Sequence, residues 1–150
     1  MNIAPTILIV EDEPTIRASL AMALREAGYL VSESSSGEDA VGKLAASDIV
    51  GIVTDIRLGA GLSGWDVARR ARQQYPSMVI VYISGDSAAD WASEGVPTSI
   101  MIQKPFPCAQ MLNAITGLLE NVNLPVPRAE ALTCEGWPTS NSLQEAELSA

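Results

Sequence analysis

Residues 49–54 hold five β-branched side chains in six positions, Ile49, Val50, Ile52, Val53 and Thr54, and the run stops abruptly at a carboxylate, Asp55. Branched apolar side chains in unbroken succession favour a buried strand. The loop that follows, with Arg57 and then Gly59, Gly61 and Gly64, is too rich in glycine to continue either strand or helix. In open parallel sheets ligands gather at the carboxyl ends of the strands, which makes Asp55 the first candidate for chemistry. Taken alone, an Asp that closes a strand is more often a turn former or a helix cap. The rest of the chain has to shift that balance.

The same alternation recurs along the sequence. Thr6–Val10 reads as a short apolar strand running into Glu11, Asp12, Glu13 and Pro14. Pro14 suits the first turn of a helix, and Ile16, Leu20, Ala23, Leu24 and Ala27 then recur at helical spacing until Gly28 closes it. A second strand over 29–33 and a second helix over 37–46 precede the 49–54 strand. A third helix is expected over 65–75, with Val67, Ala68 and Ala71 on one face, and Pro76 ends it. The apolar stretch 78–83 is a fourth strand ending in Ser84, Gly85 and Asp86, and 88–94 a weak, alanine-rich helix. A last strand, 99–102, ends in Gln103, Lys104 and Pro105, and a well-patterned fifth helix spans 108–119. Five strands alternating with five helices predict a five-stranded parallel sheet covered on both faces, a doubly wound, flavodoxin-like α/β domain of (βα)5 type over residues 1–120. From 121 onward Pro125, Pro127 and Pro138 interrupt the pattern, so 121–150 is expected to be a tail, with 142–148 as a short helix and too little chain for an output domain.

Composition narrows the chemistry. Eighteen acidic against nine basic residues give a net charge of −9 with no basic stripe, so nucleic acid is not an expected partner. The longest apolar runs are strand-sized and no cationic, apolar leader opens the chain, which predicts a cytoplasmic protein with no membrane association. Cys108 and Cys134 make neither a metal-ligand spacing nor a disulfide framework and are expected to be reduced thiols. The absence of histidine removes the commonest general base and the commonest metal ligand. Chemistry here must run on carboxylates, hydroxyls and lysine.

In the expected fold the carboxyl ends of strands one, three, four and five share an edge, which gathers Glu11, Asp12, Asp55, Ser84 and Lys104. Each has an ordinary structural role open to it: the acids cap the first helix, Ser84 makes a turn, and Lys104 is a solvated cation before a proline. Together those roles explain poorly why three carboxylates should converge, because like charges within about 4–6 Å raise one another's pKa. A hard divalent cation such as Mg²⁺, held by oxygens of Glu11, Asp12 and Asp55, would keep them ionised. With the Lys104 ammonium opposite and Ser84 donating a hydrogen bond, such a site could neutralise a phosphoryl group in transfer, with Asp55 as the nucleophile.

At these residues the chain resembles the receiver domain of two-component response regulators. The resemblance covers residues 6–120 in order: the acidic pair Glu11 and Asp12, Asp55 after an apolar strand, Ser84 followed by a small residue, and Lys104 before Pro105. It implies that Asp55 accepts phosphate from a sensor histidine kinase or a histidine phosphotransfer protein and signals to a downstream protein target. It also implies that Mg²⁺ is held by Glu11, Asp12, Asp55 and the main-chain carbonyl of Arg57, and that the Lys104–Pro105 bond is cis. The segment from Tyr82 to Phe106 looks like single-domain or hybrid-kinase receivers. The chain departs from the family where Glu11 replaces the frequent aspartate, where Arg57, Leu58 and Gly59 replace a run with proline in a loop one residue longer, and at Met101, which stands where a Tyr or Phe is usual.

Three rival readings make distinct predictions. A pseudo-receiver would keep the fold as a protein-binding module without phosphate chemistry, against which stand Asp55, Ser84 and Lys104. A phosphatase of the haloacid dehalogenase type would need a second Asp two residues after the first, where Arg57 stands. A flavodoxin-like flavin binder would need a donor-rich phosphate loop where this chain has acids. Finally, Arg57 and Asp86 each lie two residues past a site residue and are expected to flank the mouth of the pocket.

Overall fold

The computed structural model describes residues 4–45 and 48–127. Five strands, β1 (Thr6–Val10), β2 (Leu30–Ser34), β3 (Ile49–Asp55), β4 (Val79–Ser84) and β5 (Ser99–Gln103), form one parallel sheet in the order β2-β1-β3-β4-β5. Helices α1 (Pro14–Glu26), α2 (Gly37–Leu44), α3 (Gly64–Gln74), α4 (Trp91–Glu94) and α5 (Cys108–Asn121) connect or follow them. This is the doubly wound, flavodoxin-like fold expected from the alternation. Its order reverses at β1 and β3, the position where open α/β sheets form a crevice.

Side-chain alternation along the strands builds two cores. Ile7 and Ile9 of β1, Val53 of β3 and Val81 and Ile83 of β4 face α1 and α5, while Leu8 and Val10, Ile52, Ile80 and Tyr82 face α2 and α3. Every residue of β4 is buried, as a central strand between two helical layers requires. Three β-branched residues in four, Ile52, Val53 and Thr54, sit fully buried beside Asp55 and make a rigid support for it.

Several elements differ from the sequence expectation for identifiable reasons. The second strand starts at Leu30, not at residue 29, because Tyr29 is drawn to α5, where its hydroxyl pairs with Thr116 Oγ1 at 2.6 Å. The weak helix expected over 88–94 is a 3₁₀ turn, Ala88–Asp90, followed by a single α-turn, and neither buries a residue. Without an apolar face it is held at its edges. Trp91 Nε1 donates to Ser99 Oγ at 2.9 Å, and the Val96 N–H donates to the buried Tyr82 hydroxyl at 3.1 Å. Beyond α5, Val122, Leu124 and Val126 pack against the α1/α5 core. The expected helix at 142–148 lies outside the described residues, as does Cys134. Cys108 is buried at the start of α5, and the expectation of two reduced thiols rests partly on Cys134 and so falls outside the described residues. Among the described residues no helix is long and apolar enough to cross a membrane.

The turn from β3 into α3 has little slack. The Gly64 N–H donates to the Ile56 carbonyl at 2.9 Å, and a β-carbon at Gly64 would drive into the Asp55 carbonyl oxygen. Both atoms belong to the main chain and cannot swing aside. Gly64→Ala is therefore expected to cost about 1–3 kcal/mol of stability, read from urea unfolding against wild type. An unchanged midpoint would mean that this turn yields freely.

Candidate functional site

The three acids after β1 have separate tasks. Glu13 is the N-cap of α1, its carboxylate accepting from the N–H groups of Thr15 and Ile16 at 3.2 and 3.0 Å, which is the ordinary role open to an acid there. Glu11 is turned inward and only 1% exposed. Its Oε2 accepts from the Glu13 N–H at 3.2 Å and its Oε1 from Lys104 Nζ at 3.0 Å. Asp12 stays exposed at the rim.

Asp55 closes β3 with 9% of its surface exposed. Its Oδ1 accepts from the Ile56 N–H at 2.7 Å and its Oδ2 from Lys104 Nζ at 3.1 Å. One ammonium thus bridges two carboxylates from the end of β5, where the Lys104–Pro105 bond is cis. The Lys104 N–H also donates to the Ser84 carbonyl at 2.8 Å, which locks the end of β5 to the end of β4. Ser84, 1% exposed, accepts at Oγ from the N–H groups of Asp86 and Ser87 at 3.2 and 2.7 Å. Its hydroxyl therefore organises the β4 loop and still carries one proton to give. Glu11, Asp12 and Asp55 each bring a carboxylate oxygen within 4.8 Å of the others. Of the five residues gathered by the strand-end argument, Glu11, Asp12, Asp55 and Lys104 meet here, and Ser84 joins them through its main-chain bond to Lys104.

The electrostatics of this cluster are unbalanced. Burial first, then the adjacent Asp55 charge, push Glu11 up to about 7, and the hydrogen bond and charge of Lys104 offset only part of that. Lys104 moves the other way from a buried amine: burial lowers it, but Glu11 and Asp55 together more than compensate and raise it. Hard carboxylate oxygens with a surplus of negative charge are the donor set a small divalent cation prefers.

A stability consequence follows for the metal-free protein. Between about pH 4.5 and 7 the folded state holds a proton on Glu11 that the unfolded chain has released, so stability falls as pH rises through that window. Urea unfolding in a chelator should show this decline, and Glu11→Gln should flatten it. A wild-type profile that rises from pH 5 to 7 would contradict this account of the site.

Arg57 and Asp86, expected to flank the mouth of the pocket, pair with each other. Arg57 Nε lies 3.2 Å from Asp86 Oδ1 and an Arg57 terminal nitrogen 3.0 Å from Oδ2, a two-pronged pairing between the β3 and β4 loops, and Ser87 Oγ donates to the same Asp86 Oδ1 at 3.0 Å. Met101, where an aromatic was expected by resemblance, is half-buried against the α2/α3 core and pairs in register with Tyr82. Tyr82 is fully buried, its ring 4.7 Å from that of Trp65.

Two residues near the site escaped the sequence argument. Arg17 donates to the Glu11 carbonyl at 2.8 Å and steadies the end of β1. Its signal was a cation near the N-terminus of a helix, where the macrodipole disfavours one. Glu38 reaches from α2 to the Leu62 N–H at 2.9 Å. Its position near a helix start is so ordinary that nothing in the sequence marked it.

Residues 7–116 match the response regulator receiver domain family, and the chain belongs to that family. It is a receiver domain of two-component signal transduction. Among solved structures it is similar to a response regulator receiver protein from Sinorhizobium medicae, 47% identical with a TM-score of 0.77, covering 78% of this chain and 95% of that one. The response regulator receiver protein CpdR of Brucella abortus is 30% identical over 115 residues, 75% of this chain and 95% of CpdR. The transcriptional regulatory protein TcrA of Mycobacterium tuberculosis is 29% identical over 81% of this chain, which spans about half, 48%, of TcrA.

Proposed function

We propose that this chain is a phosphoacceptor that takes a phosphoryl group onto Asp55 and signals through protein contacts. The observation that carries the reading is the Lys104 ammonium held between Glu11 and Asp55, 3.0 and 3.1 Å away, at the crevice end of the sheet. An Asp55 oxygen attacks phosphorus in line, the bond to the donor nitrogen breaks, and charge that builds on the phosphoryl oxygens meets Lys104 and the Ser84 hydroxyl. Glu11, Asp12, Asp55 and the Arg57 carbonyl would hold Mg²⁺, and the carboxylate oxygens clustered within 4.8 Å fit that ion. When bound, the ion supplies positive charge against the phosphoryl oxygens. The donor is another protein, a sensor histidine kinase or a histidine phosphotransfer protein, since this chain has no histidine. The cytoplasm is the compartment that fits such a donor. An intact lysine and carboxylate cluster argues against the pseudo-receiver reading, in which nothing would preserve this pairing.

The test is incubation with acetyl phosphate and Mg²⁺. One acid-stable, base-labile phosphate per chain is expected, and none in a chelator. Wild type that remains unlabelled over hours would overturn the proposal.

A further inference from the structure

The loop from Ile56 to Ser63 carries Arg57, yet its middle has little holding it. Gly59, Ala60 and Gly61 are exposed, and both glycines have left-handed φ angles, +81° and +99°. Leu58 anchors one side in the core. On the other side the Glu38 carboxylate reaches across from α2, its Oε2 accepting from the Leu62 N–H at 2.9 Å. The contact is closely fitted. A β-carbon at Gly61 would collide with that same carboxylate oxygen, and one at Gly37, the residue before Glu38, would collide with Leu62.

Glu38 is exposed, yet its carboxylate turns across from α2 onto the loop and takes a main-chain donor there, where a solvated helix-start acid would point outward. Ordering each loop residue costs about 1–2 kcal/mol of backbone entropy. A charge-assisted hydrogen bond to a main-chain donor is among the stronger single contacts available to offset part of it.

We infer that Glu38 is a positioning residue for the phosphoacceptor site, holding the loop after Asp55 so that the Arg57 main chain stays in place at the metal centre. The inference rests on the function proposed above. Glu38 touches none of the reacting groups and acts through Leu62 and the loop. Supporting groups behind metal ligands typically matter by about 10–100-fold in metal affinity or activity, and the low end fits a single contact made further along the same loop, at Leu62.

Three substitutions separate positioning from charge. Glu38→Gln keeps an acceptor oxygen at full reach and loses the charge. Glu38→Asp keeps the charge and loses the reach, and Glu38→Ala loses both. Mg²⁺ affinity, by calorimetric titration with the metal alone, should weaken about tenfold in Glu38→Ala and Glu38→Asp and stay near wild type in Glu38→Gln. Labelling by acetyl phosphate should follow the same order at limiting Mg²⁺ and converge at saturating Mg²⁺. Wild-type affinity in Glu38→Asp together with loss in Glu38→Gln would mean that only charge at the helix start counts, and would overturn the inference. So would unchanged affinity in all three. If Glu38→Ala does not fold, the Asp and Gln variants decide alone. Wild type that binds no Mg²⁺ would overturn both this inference and the function beneath it, whereas wild-type binding with indifferent variants overturns the inference only.

Discussion

Asp55→Asn should take up no phosphate, with initial labelling below about one hundredth of wild type, because an amide oxygen is not a nucleophile toward phosphorus. The substitution is unusually clean in this setting. An Asn carbonyl can still accept the Ile56 N–H now held at 2.7 Å, and Lys104 keeps its partner Glu11 at 3.0 Å. The Asp55 charge is the second of the two influences that raise Glu11, so its removal lets Glu11 ionise more easily and relieves repulsion. Stability at neutral pH should hold or increase, and loss of labelling cannot then be ascribed to unfolding. Acetyl phosphate with Mg²⁺, followed by intact-protein mass measurement, reads both variants. Labelling of Asp55→Asn at the wild-type rate would move the chemistry to a different residue. ATP alone should label neither, since this chain carries no histidine to pass phosphate from a kinase active site.

The parts of the molecule that could be read in the sequence are those enforced by burial on both sides. β3 and β4 announce themselves through unbroken apolar runs, and because each strand ends where its apolar run ends, Asp55, Ser84 and Lys104 fall at one edge with no further information. Glu11 was found by the same argument, although the sequence could not say which acid of three would turn inward. That choice depends on Glu13 being the one in reach of the first free N–H groups of α1. Contacts between elements far apart in sequence were invisible. Glu38 and Leu62, or Tyr82 and Val96, meet only because the fold lays a loop against a helix or a strand distant in sequence. The segment 88–94 failed for the opposite reason: alanines favour helix by propensity, but propensity without an apolar face yields only a 3₁₀ turn and one turn of α-helix. Met101 was recognised as unusual by resemblance, while the Tyr82 and Trp65 rings that pack in the same α2/α3 core could not be inferred from it.

Removing either partner of the Arg57 and Asp86 pair should shorten the life of the aspartyl phosphate several-fold. As a stabilising contact the pair is negligible: the side chains are 76% and 55% exposed, and exposed ion pairs contribute about 0–1 kcal/mol. Its importance lies in where it sits. The guanidinium is planar, paired through two nitrogens, and spans from the residue two past Asp55 to the residue two past Ser84. Asp86 is itself fixed, its N–H on Ser84 Oγ and its carboxylate receiving the Ser87 hydroxyl, so the bridge is braced from the end of β4. The expected task of this bridge is to exclude the water that hydrolyses the phosphate, and excluding it changes a rate directly. A fivefold to tenfold change corresponds to about 1–1.4 kcal/mol in the barrier, which a single water-excluding side chain can supply. Arg57→Ala and Asp86→Ala should therefore each accelerate phosphate release. Because they remove one shared contact, the double variant should add little to either single. Salt offers an independent check, since screening acts on exposed charges: high ionic strength should shorten the wild-type lifetime toward that of the double variant and leave the double variant unchanged. Phosphate-release measurements on the four proteins decide the matter. Multiplicative effects of the two substitutions would mean that they act separately, and four equal rates would remove the bridge from the mechanism.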